Sequence, residues 1–272
     1  MWSDTLVRQL HMAMQTATKF ERLALDLDGF AAHVTLRNPP LNVIDIPMMD
    51  ELSAALAEIE SQPAVSIVVL RGEGANFSAG VDVVAHTRDK VASMLEKFHH
   101  VIRALIATRK VTIASVHGHC LGGGAELAMV CDLVYSAEDA KWGFPEIHLG
   151  CFPPVAITAL SALIGQKRAS DLVLTGRSIT GSDAAATGLA SGAVAADQLE
   201  HVVNEAVGKL SSLSPAALGI TKKAIYAWDS MHFDKGLARS EKIYLDELMQ
   251  TEDAQEGIQA FMEKRQPKWK GR

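Results

Sequence analysis

A strand, a glycine turn and the start of a helix follow one another between residues 111 and 130. Residues 111–116 are apolar and mostly β-branched, which is typical of a short buried strand. Three successive glycines, residues 122–124, let a ligand approach the main chain because they lack a side chain. Helix formers follow at 125–130, and the first N–H groups of a helix have no intrahelical partner. The turn is therefore predicted to be able to hold a negatively charged oxygen.

Two glutamates lie close to this turn in the sequence. Glu126 is on the first turn of the predicted helix, and Glu146 follows a second predicted strand at 132–136. One helix, one strand and a turn separate them, so both carboxylates can reach the same edge of a sheet. Taken alone, the glycine turn with Glu126 fits an ordinary tight turn and a charge that complements the helix dipole equally well.

A third turn, residues 76–82, follows another β-branched strand at 65–70. Its sequence, Asn-Phe-Ser-Ala-Gly-Val-Asp, is rich in small residues and can expose a further N–H group. The chain thus contains two places where a strand ends at a turn that can present backbone donors.

The rest of the chain alternates strands and helices. An Asp28-Gly29 pair between two alternating runs predicts a β-hairpin, and Pro47 predicts the start of a helix. The predicted elements are strands at 23–27, 32–36, 65–70, 111–116 and 132–136, and helices at 47–60, 89–107, 124–130 and over most of 199–264. Within the last segment, Gly236 is predicted to interrupt a helix and Thr251 to cap the final one. Strands joined by crossover helices indicate an α/β protein.

Three stretches resemble the motifs of the enoyl-CoA hydratase/isomerase (crotonase) superfamily, in their order and in their spacing. They are residues 77–82, 122–128 and 145–150. The resemblance runs from about Phe20 to the C-terminus. It implies a crotonase-like spiral of ββα turns over 20–198 and a helical trimerisation and lid region over 199–272, with residues 1–19 as an N-terminal extension.

The resemblance also implies roles for particular residues. The backbone N–H groups of Val81 and Gly123 would bind the carbonyl oxygen of an acyl-CoA thioester, where enolate charge develops. Glu126 and Glu146 match the two glutamates that add water to a double bond; one takes a proton from water and the other supplies a proton to the α-carbon. Two carboxylates that face one water tend to split their pKa values. Coenzyme A is part of the substrate, so neither a metal nor a separate cofactor is implied.

Several further residues are weaker candidates for contacts with the substrate or with coenzyme A. They are Ala79, Asp82, His86, Phe152, Phe261, Lys264, Lys268 and Lys270. Asp82 also fits a turn or a helix cap, and the lysines also fit a solvated helix end. The histidines, including His148, lack the spacing of a zinc site, so they are interpreted as turn or pocket residues and no metal site is predicted.

The four residues after position 150 depart from the pattern of many hydratases. They read Cys-Phe-Pro-Pro, in which two prolines restrict the backbone and Phe152 adds bulk near Glu146. This segment is similar to that of cyclohexa-1,5-diene-1-carbonyl-CoA hydratases, which act on cyclic dienoyl-CoA thioesters. The predicted function is therefore hydration of an α,β-unsaturated acyl-CoA, with a cyclic dienoyl group as the expected acyl part.

Three alternatives stay open at this point. A double-bond isomerase and a ring or carbon–carbon hydrolase belong to the same superfamily, and an isomerase can work with one carboxylate. A non-catalytic relative kept for binding, such as a scaffold or an RNA-binding protein, is the alternative from another class. The two glutamates and the net charge of −6 disfavour it, because RNA binding needs a basic surface.

Composition limits the remaining classes. The 272 residues are 48% apolar, which is enough for a large core and disfavours disorder. No apolar run reaches the roughly 18 residues of a membrane span, and no dense basic run occurs, so neither a membrane nor a nucleic acid is expected as a partner. The three cysteines, Cys120, Cys131 and Cys151, are too few for a disulfide framework and predict reduced thiols in the cytoplasm.

The helical C-terminal third predicts an oligomer. Its apolar positions with little predicted sheet to cover are Leu237, Ile243, Leu248, Ile258 and Phe261. Patches of that size are unusual on monomers, so an interface between copies is expected. The resemblance supplies the number, a homotrimer that can pair into a homohexamer.

Overall fold

The computed structural model describes residues 20–226 and 230–271, so the predicted extension over 1–19 lies outside the described residues. The strands are β1 (Leu23–Asp28), β2 (Ala31–Leu36), β3 (Ile67–Gly72), β4 (Val111–Val116), β5 (His119–Leu121), β6 (Leu133–Ala137), β7 (Lys141–Gly143), β8 (Ser178–Thr180) and β9 (Gly192–Val194). The helices are α1 (Ile46–Glu60), α2 (Val91–Ala107), α3 (Gly123–Met129), α4 (Pro154–Ile164), α5 (Gln166–Thr175), α6 (Gly181–Thr187), α7 (Leu199–Ser211), α8 (Pro215–Tyr226), α9 (Ser230–Asp246) and α10 (Glu252–Met262). Short 3-10 turns occur at Val83–His86, Pro145–Leu149, Ala196–Gln198 and Leu248–Gln250. Among these described helices, none is long and apolar enough to cross a membrane.

Two sheets form the centre of the molecule. The larger has six strands in the order β1-β2-β3-β4-β6-β9, in which β1 and β2 are antiparallel and all later pairs are parallel. The smaller has three strands in the order β5-β7-β8. Helices connect the parallel strands, which confirms the predicted α/β class. The predicted hairpin is also confirmed, with Leu27 opposite Ala32 and Gly29 at a φ of +57° in the turn.

Local sequence signals explain where the first helix begins. The side chain of Asp45 accepts a hydrogen bond from the N–H of Met48 at 2.9 Å, and Pro47 occupies the first turn, as predicted. The helix buries one apolar face against the core, comprising Met48, Met49, Leu52, Ala55, Leu56 and Ile59. Capping and apolar periodicity therefore agree along α1.

The sequence predicts that the glycine turn follows strand β4 directly, but the structure does not confirm this. A short strand, β5, lies between β4 and α3 and belongs to the second sheet. Gly118 makes this change of sheet possible, because it has a φ of +57° and a Cβ there would lie 1.9 Å from the carbonyl oxygen of Ala75. The second sheet thereby carries the glycine turn away from the main sheet and toward the turn at 76–82.

The C-terminal helices pack back onto the chain's own core. Gly236 does not interrupt a helix, contrary to prediction; it lies inside α9 and allows close packing on α4, since a Cβ there would be 2.8 Å from Cγ2 of Thr158. Leu237 and Ile258, which were expected to need a partner subunit, are buried within this chain. The Thr251 side chain caps α10 as predicted, accepting the N–H of Ala254 at 3.1 Å.

Candidate active site

Hydrogen bonds hold the two predicted donor turns against each other. The N–H of Ser78 donates to the carbonyl oxygen of His119 at 2.9 Å, and the N–H of Leu121 donates to the carbonyl oxygen of Ser78 at 3.0 Å. The Ser78 hydroxyl also donates to the carbonyl oxygen of Asn42 at 2.7 Å. These bonds fix the turn at 76–82 beside β5 and the start of α3.

The N–H groups of Val81 and Gly123 lie at the point where the two turns meet. A Cβ added to Gly123 would be 3.4 Å from the nitrogen of Val81. Within the described part of the chain, neither nitrogen donates a hydrogen bond, and both residues line the same cavity. Fixed donors of this kind can stabilise an oxygen that gains negative charge.

Glu126 lies on α3 with 3% of its surface exposed. Its Oε1 accepts hydrogen bonds from the N–H groups of Val155 at 2.8 Å and Ala156 at 2.9 Å, in the first turn of α4. Those N–H groups have no partner inside their own helix, so the carboxylate caps a helix distant in the sequence. Both donors favour the ionised form of Glu126.

Glu146 lies in the 3-10 turn Pro145–Leu149 and lines the same cavity as the glycine turn. Its Oε1 is packed against the glycine turn, since a Cβ on Gly122 would be 2.6 Å from this atom. Its Oε2 is fully buried and has no hydrogen-bond partner among the described residues. An unpartnered buried carboxyl oxygen favours the neutral, protonated form.

Burial and mutual repulsion set the ionisation of the two glutamates. Burial raises the pKa of Glu126, and the N–H groups of Ala156 and Val155 oppose the rise. Burial also raises the pKa of Glu146, and the negative charge of Glu126 raises it further. The pair is therefore suited to sharing one proton near neutral pH, with Glu126 the more readily ionised member.

A cavity of about 320 Å³ contains most of the predicted site. The predicted residues that line it are Ala79, Val81, His86, Gly123, Glu126, Glu146, Phe152 and Phe261. Much of its remaining wall is apolar and includes Val83, Met94, Leu95, Phe98, Leu149 and Pro153. Backbone donors, two carboxyl groups and apolar walls thus converge on one cavity, which is the usual composition of a small-molecule site.

Of the two weaker candidates Asp82 and His86, His86 lines the cavity and Asp82 does not. Asp82 does not line the cavity; its Oδ1 accepts the N–H of Val84 at 3.1 Å and caps the 3-10 turn Val83–His86. His86 does line the cavity, with its Nδ1 3.0 Å from the carbonyl oxygen of Asp82. Burial lowers the pKa of His86, so its neutral form is favoured.

The structure does not bring the three tail lysines to the cavity. Lys264, Lys268 and Lys270 are exposed, and Nζ of Lys270 pairs with Glu252 at 2.7 Å. The cation that does line the cavity is Arg265, which the sequence analysis did not single out although it lies in the same basic tail.

Two further polar residues, His148 and Tyr244, line the cavity. His148, interpreted as a turn or pocket residue, lines the cavity. Tyr244 on α9 also lines it and was missed, since nothing in the local sequence of α9 marks this residue as facing a site.

Comparisons with known proteins match nearly the whole chain. A family model described as enoyl-CoA hydratase/isomerase matches residues 29–272. A cyclohexa-1,5-dienecarbonyl-CoA hydratase from Thauera aromatica is 34% identical over 259 residues, covering 95% of this chain and 100% of the relative. A probable enoyl-CoA hydratase from Bacillus subtilis is 35% identical and covers 92% of this chain and 98% of the relative. A 2,3-dehydroadipyl-CoA hydratase from Escherichia coli is 35% identical and covers 87% of this chain and 91% of the relative.

Solved structures of enoyl-CoA hydratases have the same fold as this chain. An enoyl-CoA hydratase from Mycobacterium avium subsp. paratuberculosis superposes with a TM-score of 0.84 at 26% identity, covering 92% of this chain and 99% of the other. An enoyl-CoA hydratase/isomerase from Xanthobacter autotrophicus has a TM-score of 0.83 at 27% identity, covering 90% and 94%. The matched length, the fold and the sequence identity show that this chain is an enzyme of the hydro-lyase type that belongs to the enoyl-CoA hydratase/isomerase family.

Proposed function

We propose that this protein adds water to the carbon–carbon double bond of an α,β-unsaturated acyl-CoA thioester. The observation that carries the proposal is that Glu126 and Glu146 share one cavity with the free N–H groups of Val81 and Gly123. Two acid–base groups and two fixed donors are the parts that hydration beside a thioester requires. In this proposal coenzyme A enters as part of the substrate, and no metal or redox cofactor takes part.

The two backbone N–H groups would bind the thioester carbonyl oxygen. When water attacks the β-carbon, the electron pair of the double bond moves toward the thioester and an enolate oxygen develops. Val81 and Gly123 would stabilise this oxygen, and one such donor contributes on the order of 3 kcal/mol in comparable sites. Because both donors belong to the main chain, the identity of the side chain at position 81 matters little to this role.

The hydrogen bonds of the glutamates support different roles for them. Glu126, which accepts two backbone N–H groups, would act as the base, and Glu146, with its unpartnered oxygen, would act as the acid. Glu126 takes one proton from water as the water oxygen bonds to the β-carbon, and Glu146 gives its proton to the α-carbon. The proton gained by Glu126 then passes back to Glu146, which restores the starting state.

The acyl group in this proposal is a cyclic dienoyl group. Phe152 narrows the cavity beside Glu146, and two prolines follow it, so the wall there is bulky and rigid. Such a wall suits a compact ring better than a long flexible chain. The Thauera aromatica relative, named for a cyclic dienoyl substrate, lends further support.

A turnover screen tests both the proposed reaction, hydration, and the proposed substrate, a cyclic dienoyl-CoA. Purified protein is mixed with crotonyl-CoA, a longer linear enoyl-CoA and cyclohexa-1,5-diene-1-carbonyl-CoA, and products are identified by mass. The expected product gains one water, with the highest kcat/KM for the cyclic thioester. A product of unchanged mass with a moved double bond would indicate an isomerase, and a cleaved ring or carbon–carbon bond would indicate a hydrolase. A preference for a linear thioester would reject only the cyclic substrate.

Assembly and compartment belong to the same proposal. A homotrimer, with the option of a hexamer, is supported by large exposed apolar side chains on α5 and α8, namely Leu174, Ile220 and Ile225. In the trimer the tail lysines Lys264, Lys268 and Lys270 would contact coenzyme A phosphates, including those bound by another subunit. The division into a core over 20–198 and a helical region over 199–272 remains a prediction, as does a cytoplasmic location.

A further inference from the structure

The hydroxyl of Tyr244 is a polar group in the cavity that the proposed reaction has not used. Tyr244 lies on α9, 1% of its surface is exposed, and it lines the same cavity as both glutamates. Its oxygen is fully buried beside the Cys151 thiol and makes no hydrogen bond of ordinary geometry with any described residue. Leaving a buried hydroxyl unpaired is unfavourable, so its position calls for a partner that enters with the substrate.

The surroundings hold this hydroxyl in place and keep its proton on it. The Tyr244 ring stands edge-on to Phe152, with centroids 5.1 Å apart and an interplanar angle of 74°. Burial raises the pKa of Tyr244 well above its ordinary value, and the neighbouring Cys151 thiol and the charges of both glutamates raise it further. The hydroxyl is therefore a fixed, protonated donor in the cavity that both glutamates line.

The first turn of α4, next to Glu126, has no backbone donor left to fill this role. Pro153 and Pro154 carry no N–H, and the next two N–H groups, of Val155 and Ala156, already donate to Glu126. A water between the two glutamates could give a proton to the Glu126 carboxylate, but the first turn of α4 offers no N–H that could donate to the water oxygen. The lining side chains that carry an N–H or O–H donor are His86, His148, Tyr244 and Arg265; of these, the Tyr244 hydroxyl is the one that is fully buried and makes no hydrogen bond of ordinary geometry with a described residue.

We propose that Tyr244 is a catalytic residue that holds the attacking water by donating a hydrogen bond to its oxygen. The inference rests on the proposed hydration. One lone pair of the water is then occupied by Tyr244, one proton points to Glu126, and the second lone pair is directed at the β-carbon. In the reverse direction the same hydrogen bond stabilises the departing hydroxyl oxygen. Tyr244 neither gains nor loses a proton in either direction, so Glu126 and Glu146 perform all proton transfers.

The test compares two reactions of the same active site in Tyr244→Phe. Hydration of the best enoyl-CoA substrate needs the water, whereas exchange of the α-hydrogens of butanoyl-CoA in D2O needs only Glu146 and the backbone donors. We expect kcat for hydration to fall about tenfold or more with KM changed little, and the exchange rate to stay within about twofold. Tyr135→Phe makes the same chemical change on β6, outside the cavity, and should leave both reactions unchanged.

The other results overturn the inference in distinguishable ways. If Tyr244→Phe hydrates as well as the unaltered enzyme, the hydroxyl does not hold the water. If hydration and exchange fall together, Tyr244 has a structural role. If the unaltered enzyme exchanges α-hydrogens but hydrates no enoyl-CoA, the proposed function itself fails, and this inference fails with it.

Discussion

Oε1 of Glu126 accepts the N–H of Val155 at 2.8 Å, and this bond joins the proposed base on α3 to the first turn of α4. Helices usually begin with a local Ser, Thr, Asp or Asn cap, but α4 begins after Pro153, which has no side-chain acceptor. The distant carboxylate satisfies the free N–H groups instead. A residue proposed for catalysis therefore also contributes to the stability of α4.

Glu126→Gln and Glu126→Ala should separate these two contributions. Glutamine keeps a carbonyl oxygen that can accept the two N–H groups, whereas alanine leaves them without an acceptor. We expect both variants to lose turnover by about a hundredfold or more, the usual scale for an acid–base group. Glu126→Ala should also unfold with about 1 kcal/mol less free energy than Glu126→Gln. Steady-state kinetics and urea unfolding measure the two effects, and near-normal turnover of Glu126→Gln would make Glu126 a structural residue only.

Glu146→Gln should remove the proposed proton donor while keeping the packing against Gly122. The expected result is a fall in kcat of about a hundredfold or more with KM changed little, because most of the affinity would come from the coenzyme A part of the substrate. Exchange of α-hydrogens in D2O should fall in parallel, since Glu146 serves both reactions. Exchange at an unchanged rate would assign the α-carbon proton to another group.

The stability of the enzyme should depend on pH through Glu146. Burial, and then the charge of Glu126, raise the pKa of Glu146 above the ordinary value of 4.5, so the folded state holds a proton that the unfolded chain releases. The unfolding free energy should therefore fall as pH rises from about 4.5 through the raised pKa, and level off above it. Glu146→Gln cannot ionise, so its stability relative to the unaltered protein should increase over that range. Urea unfolding of both proteins at several pH values measures this difference, and a constant difference would contradict the prediction.

Gly122→Ala should damage the site with little effect on the rest of the fold. Gly122 has a φ of +51°, and the added Cβ would lie 2.6 Å from Oε1 of Glu146. Gly29 is a matched control, because it has a φ of +57° and its added Cβ would meet nothing within 4 Å. Gly29→Ala should cost about 1–2 kcal/mol because of its positive φ. Gly122→Ala should cost more, because a φ of +51° with a ψ of −128° lies outside the left-handed helical region and is adopted readily only by glycine. Only Gly122→Ala should lower kcat, by tenfold or more. Thermal unfolding and kinetics on both variants make the comparison, and equal activities would show that Glu146 tolerates displacement.

The proposed trimer predicts a defined mass in solution. Light scattering at micromolar concentration should give three or six copies, and replacing Ile220 and Ile225 on α8 with lysine should reduce that mass, since exposed apolar side chains there are 70% and 67% accessible in the single chain. Phe30→Lys, at the β1–β2 turn and 50% exposed, is the control that should leave the mass unchanged. A fully active compact monomer would reject the trimer.

Much of the local structure and the main site residues could be predicted from the sequence. The hairpin around Gly29, the start of α1 at its proline and the strand at 111–116 all depend on turn chemistry, capping or side-chain period, which act between near neighbours. The glycine turn and the two glutamates are also marked by short motifs, and the cavity contains both carboxyl groups.

Only the tertiary structure decided how distant segments meet. Period and composition identify an apolar face but not the surface that covers it, so Leu237 and Ile258 were assigned to a partner subunit although their own chain buries them. Strand β5 and the position of Tyr244 are not predicted for the same reason. Strand β5 forms only by pairing with β7, and Tyr244 reaches the cavity only because α9 packs beside segments that are distant in the sequence. The chain's motifs thus marked the two glutamates and the two turns with backbone donors of the candidate site. Packing between remote elements decided which of them are buried, which residue caps α4 and which hydroxyl lines the cavity with the glutamates, because burial and hydrogen-bond partners are set in space rather than along the chain.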